Sequence, residues 1–176
     1  MQNNEWDRIM TSKPFSIHEN ECASEKWVDT TRGNVQWRTL LSADRTPTDS
    51  ITLGIAELTP GELDALSCHQ HPQPEVYYVL SGEGIVTIED IQYPICPGSA
   101  VFIPGNAKHR VRNTGKEILR ILYVFAVALF EEVEYKFTET AIQTADKSIN
   151  NNSLKDRSLP VPDNCDQNNN SLLNLE

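Results

Sequence analysis

From Val35 onward, apolar and polar residues alternate in short runs. Period-two alternation places every second side chain on one face, which is the pattern of half-buried strands. It predicts strands over Val35–Leu41, Ile51–Leu58, Leu66–His71, Val76–Leu80, Ile85–Ile88, Ala100–Ile103, His109–Asn113 and Ile118–Ala126. Between them stand turn formers: Thr59-Pro60-Gly61, Ser81-Gly82-Glu83-Gly84, Pro97-Gly98 and Asn113-Thr114-Gly115. Closely spaced strands with such breaks specify an all-β fold, a single antiparallel barrel or jelly roll. The pattern is absent at both ends. Residues 1–34 are polar and mixed, with Trp6, Phe15 and Trp27 as aromatic landmarks, and are expected to form an arm packed on the barrel. The barrel occupies 35–137. Residues 138–176 are rich in Asn, Ser and Asp and bury too little apolar surface to fold, so a disordered tail is expected.

With 176 residues and 39% hydrophobic content, the chain builds one core. Its apolar runs, such as the one that includes Tyr123–Phe130, are far too short to span a bilayer, and the N-terminus lacks the basic-then-apolar signature of a secretory signal. A cytoplasmic location follows as the expectation. Cys22, Cys68, Cys96 and Cys165 form no C-x-x-C pair and read as reduced thiols. A net charge of −10 argues against nucleic acid as a partner.

Three of the four histidines carry the candidate chemistry. His69 and His71 lie two positions apart on one strand, so both imidazoles point to the same face, and His109 follows after a Gly/Pro-marked turn. Glu75 supplies a carboxylate. Imidazoles with one carboxylate suit a single divalent transition metal, with iron, manganese, nickel and zinc as the candidates. Cys68, adjacent to His69, should face away from the ion. His18 has no such neighbours. Tyr77 shares a strand face with Glu75 and so points at the same site, whereas Val76 and Tyr78 point the other way.

The segment Gly61–Gly82 contains H-x-H-x3-E-x6-G, and Gly98–Asn113 contains G-x5-P-x4-H-x3-N. Both resemble the signature motifs of the cupin family, across roughly residues 35–137. Two departures stand out. Asn106 occupies the usual second glycine of the second motif, a mild change because Asn tolerates left-handed backbone. Seven residues rather than five separate Gly61 from His69, which implies a longer turn or a bulge entering that strand. Gly82, Gly98 and Pro104 are turn formers, and Asn113 is expected to secure a turn rather than touch substrate.

Further blocks, Val35–Arg38, Ala56–Gly61, Gly105–His109, Gly115–Glu117 and Phe130–Tyr135, resemble the small single-domain cupins that cleave dimethylsulfoniopropionate, the DddK-type lyases. That resemblance implies His69, His71, Glu75 and His109 as metal ligands, Tyr77 as general base and Tyr135 as a second active-site phenol. It implies β-elimination of a small carboxylate-bearing substrate to dimethyl sulfide and acrylate. The sulfonium cation then needs aromatic faces, for which Trp37, Tyr123 and Tyr135 are the candidates. Two other activities fit the same ligands: an Fe(II)-dependent dioxygenase, and a non-catalytic small-molecule-binding cupin. A homodimer is expected, with Ala126–Phe130 as one segment able to cover a barrel edge.

Overall fold

The computed structural model describes residues 12–61 and 66–138, and in it every alternating segment is a strand. The strands are β1 (Glu25–Asp29), β2 (Gly33–Leu41), β3 (Thr52–Leu58), β4 (Leu66–Gln70), β5 (Glu75–Ser81), β6 (Gly84–Ile88), β7 (Ile91–Ile95), β8 (Ala100–Ile103), β9 (His109–Asn113), β10 (Leu119–Phe125) and β11 (Lys136–Phe137). They form one curled antiparallel sheet in the order β7-β6-β9-β4-β2-β3-β10-β5-β8, with β1 added on β2 and β11 on β4.

Three strands are additional to those read from the sequence, each for a local reason. β1 presents two adjacent apolar residues, Trp27 and Val28, among Glu25, Lys26 and Asp29, so no alternation is visible; the sheet therefore begins inside the stretch expected to be an arm. β7 contains Pro94, which argues against a central strand, but it pairs only with β6 and so sits at an edge where the missing N–H costs no ladder bond. The β6–β7 hairpin also turns on Glu89 and Asp90, both left-handed at φ 45° and 66°, rather than on the Asn or Gly that signals such a turn. β11 is only two residues long.

Burial follows the alternation. On β5, Glu75, Tyr77 and Val79 face inward while Val76, Tyr78 and Leu80 are exposed. On β10, Leu119, Ile121, Tyr123 and Phe125 face inward and complete the core with Leu58, Val86, Ile103 and Val111. Each such fully buried side chain contributes roughly 1.5–3 kcal/mol. Val127 and Phe130, from the segment expected at a barrel edge, pack against this same core.

The β4–β9 register runs Leu66↔Val111 and His69↔His109, three steps on one strand against two on the other. This is a bulge, one of the two readings of the long Gly61–His69 spacing, and it keeps His69 facing inward. Asn106 adopts φ 64°, in line with its place at the usual glycine. Asn113 is buried and donates to the carbonyls of Leu58 and Glu117, both at 2.8 Å, while its Oδ1 accepts from Gly115 N–H at 2.9 Å. It ties a turn, as expected. His18 is exposed and caps the 3-10 turn Glu19–Glu21 by accepting from Asn20 N–H.

One expectation fails. The four cysteines are not all reduced thiols: Cys22 and Cys68 are free, but Cys96 is disulfide-bonded. Trp6, Cys165 and the Asn-rich tail lie outside the described residues. Among the described residues, no helix is long and apolar enough to cross a membrane.

Gly54 on β3 is required by close approach. A Cβ there would overlap the Tyr123 hydroxyl and the Arg38 carbonyl, so the glycine forms the notch in which Tyr123 rests, its hydroxyl 3.2 Å from Thr39 Oγ1. Gly54→Ala should destabilise the fold by about 1–3 kcal/mol, the usual cost of overpacking. Urea unfolding checks this, and an unchanged midpoint would show that Tyr123 moves aside freely.

Candidate metal centre and its aromatic cavity

His69 lies near the end of β4, His71 one residue beyond that strand, Glu75 opens β5 and His109 opens β9. The direct pairing of His69 with His109 across β4 and β9 joins the two motifs in space. All four residues are at most 2% exposed. One ring nitrogen from each histidine lies within 4.8 Å of the others, and Glu75 Oε2 is 3.3 Å from His71 Nε2 and 3.4 Å from His109 Nε2.

Backbone carbonyls fix which nitrogen is free. His69 Nδ1 faces Ser67 O at 2.8 Å, His71 Nδ1 faces Gln73 O at 2.8 Å, and His109 Nδ1 faces Ala107 O at 2.9 Å. A carbonyl only accepts, so each Nδ1 carries the proton and, in the neutral ring, each Nε2 presents a lone pair. His69 Nε2 and His109 Nε2 are buried without a hydrogen-bond partner. Leaving such atoms unpaired is costly, and His71 Nε2 opposite a carboxylate oxygen would set acceptor against acceptor. A divalent cation among these atoms satisfies every one of them. The residues therefore fit a metal, with the carbonyls orienting its histidine ligands.

Ionisation agrees. Burial, with His109 beside it, lowers the His69 pKa to about 3 and keeps that ring neutral. For Glu75, burial works upward, and the net shift below its ordinary value comes from positive charge and donors on the side of His109 and His71, the place that a cation would take. In the chelated protein, His69 is neutral in both folded and unfolded chains above pH 6.5, so its contribution is then whole. As the pH falls below that value only the unfolded chain takes the proton, until the folded pKa near 3 is reached. Stability should drop by about 2–3 kcal/mol between pH 7 and pH 4.5. Denaturant midpoints at the two pH values measure it; equal midpoints would contradict the burial argument.

Beside the four side chains lies a cavity of about 40 Å³, room for about three waters. Its walls are aromatic and aliphatic, with Glu75 as the one charged residue lining it. Tyr77, Trp37 and Tyr123 all line it. Tyr123 contributes its ring, because its hydroxyl is engaged by Thr39. Trp37 Nε1 is buried without a partner. Tyr135 also enters: its ring centroid stands 5.1 Å from that of His69 and 5.4 Å from that of His71. The pairing Lys136↔Gln70 and Phe137↔His69 carries it there. Burial first, and then the Glu75 carboxylate, push the phenols of Tyr77 and Tyr135 well above their ordinary pKa.

Two wall residues escaped the sequence reading. Trp27 lines the cavity and packs edge-on against Trp37 at 4.9 Å and Tyr135 at 5.3 Å, with the Arg32 guanidinium 5.2 Å from its ring. Phe130 lies 5.8 Å from Tyr123 and 6.3 Å from Tyr135. Neither carries a periodic signal: Trp27 is followed directly by apolar Val28 in β1, and Phe130 stands in a 3-10 turn.

A model of the cupin domain matches residues 54–125. The chain is 41% identical over 128 residues to the dimethylsulfoniopropionate lyase DddW of Ruegeria pomeroyi, covering 73% of this chain and 82% of that protein. It superposes on a predicted oxalate decarboxylase of Thermotoga maritima with TM-score 0.56 and 26% identity, over 64% of this chain and 99% of the other. Against a crystal structure of the DMSP lyases RdDddP and RnDddQII, the TM-score is 0.52 at 19% identity, over 72% and 61% of the two chains, a likeness of fold alone.

Proposed function

The chain belongs to the cupin family, and from that membership we propose that it is a metal-dependent carbon–sulfur lyase that converts dimethylsulfoniopropionate to dimethyl sulfide and acrylate. The observation that carries this reading is the cavity itself: walled by aromatic rings, with Glu75 on its wall and, behind that carboxylate, the His71 and His109 imidazoles that face it. A long polar groove would suit a sugar or a peptide. A compact zwitterion with an acid at one end and a soft cation at the other suits this one. The similarity to a lyase of that substrate supports the same choice.

In this proposal His69, His71, Glu75 and His109 hold one divalent ion, iron, manganese, nickel or zinc. Bound there, the ion supplies positive charge that receives the substrate carboxylate, draws electron density from the α-carbon and offsets the burial that otherwise keeps nearby phenols protonated. Tyr77, on the same strand face as Glu75, takes the α-proton. The C–H electron pair becomes the new Cα=Cβ bond, the Cβ–S bond breaks, and its pair leaves with sulfur as neutral dimethyl sulfide. Acrylate remains, and the proton on Tyr77 passes to solvent. Tyr135 lies across the cavity as the second phenol. Trp37 and Trp27, with the Tyr123 ring, offer π faces to the sulfonium, so that the cation is held without a tight ion pair.

Metal-loaded protein mixed with dimethylsulfoniopropionate in an anaerobic vial should release dimethyl sulfide into the headspace. Release without oxygen separates elimination from a dioxygenase. No release above a metal-only control, with any of the four metals, overturns the proposal. Trp37→Leu should raise KM by about 3–30-fold while kcat changes little, the span expected for losing one cation–π face. Steady-state kinetics decide it, and an unchanged KM would remove Trp37 from the sulfonium site.

A further inference from the structure

The turn between His71 and Glu75 is Pro72-Gln73-Pro74, and its middle residue makes contacts in two directions. Its backbone carbonyl accepts the His71 Nδ1–H at 2.8 Å. Its side-chain Nε2 donates to the Glu132 carbonyl at 2.8 Å, across 59 residues of chain. Because that carbonyl only accepts, the amide orientation is settled, and Gln73 Oε1 is then a buried acceptor with no partner. The flanking prolines fix their own backbone angles and restrict the residues before them, so the turn is stiff. It is held further by Asn106 N–H donating to the His71 carbonyl at 2.7 Å.

Glu132 closes the 3-10 turn Phe130–Glu132, three residues before Tyr135. Beyond Tyr135 the chain is fixed again, by Phe137 paired with His69 and by Thr138 N–H donating to the Cys68 carbonyl at 2.9 Å. The segment that delivers Tyr135 is thus clamped at both ends, once to β4 and once to Gln73. The β4 clamp is a strand pairing. At the other end Phe130 N–H donates to Ser42 Oγ at 3.2 Å and Val133 is buried in the core, while the Gln73 amide ties the segment to the turn that joins two of the candidate metal ligands.

We propose that Gln73 is a positioning residue: its side chain latches the C-terminal segment onto the ligand-bearing turn, and so places Tyr135 over His69 and His71. The part that concerns turnover rests on the lyase reading; the latch itself does not. Gln73 touches neither the reacting atoms nor the ion. It acts through Tyr135 on one side and through the His71 ring on the other.

The test compares metal-loaded wild-type protein with Gln73→Met, which keeps the length and removes the donor, and with Gln73→Ala in case methionine packs differently. Hydrogen exchange is read over residues 130–138 and, as an internal reference, over β10. The expected result is exchange about tenfold faster at 130–138 in both variants, with β10 and the metal content unchanged. Exchange that stays slow at 130–138, or that quickens equally in β10, overturns the latch. This readout holds whether or not the protein turns over dimethylsulfoniopropionate. Where it does, kcat should fall about tenfold or more with KM within about twofold; a released segment with undiminished kcat would overturn the role assigned through Tyr135.

Discussion

His109→Ala should lose its divalent ion. Changing a residue that merely orients a ligand typically costs 10–100-fold in metal affinity, so removing the ligand itself should cost upwards of roughly a hundredfold. The effect is large here because neighbouring groups cannot compensate: His69 Nε2 is already an unpartnered buried lone pair, and Glu75 already faces both His71 and His109. A second readout comes from linkage. An ion that binds only the folded chain stabilises it by about 2.7 kcal/mol at a hundred times its Kd, so added metal should raise the wild-type melting temperature and leave that of His109→Ala unmoved. Metal content by mass spectrometry and thermal melts with and without chelator test both statements. A variant that retains one equivalent of metal and the same thermal shift would remove His109 from the site.

Tyr77→Phe should cut kcat by about 10²–10⁴, the usual contribution of a positioned general base, with metal content unaltered and KM little changed. The ring stays in place because Tyr77 is 4% exposed and packed in the core, so the substitution deletes one oxygen and little else. Tyr135→Phe serves as the companion measurement. A large loss there with full turnover in Tyr77→Phe would transfer the proton-abstracting role to Tyr135, whose ring lies near both His69 and His71. Full turnover in both variants would sink the phenol-based mechanism.

The family match and part of the cavity wall come from different parts of the chain. The stretch matched by the cupin domain model, residues 54–125, contains all four candidate ligands, Tyr77 and Tyr123. Trp27, Trp37 and Tyr135, which shape the cavity, come from β1, β2 and the approach to β11, outside that stretch.

Much of this was legible from local chemistry. Strand alternation depends on residues two apart, so Glu75 and Tyr77 on one face with Val76 and Tyr78 on the other could be read directly. The same holds for His69 and His71, for the bulge before them, and for the left-handed Asn106. Pairings between distant segments left no such local trace. The docking of β1 through Trp27, the β7 edge that tolerates Pro94, and the β11 contact that carries Tyr135 to His69 depend on where the sheet curls. So do the orphaned nitrogens of His69 and His109, which became evident only when burial was known for every neighbouring atom. Period and turn chemistry act over a few residues and are written in order along the chain. Desolvation and the convergence of side chains act across space, so only the folded sheet could decide them.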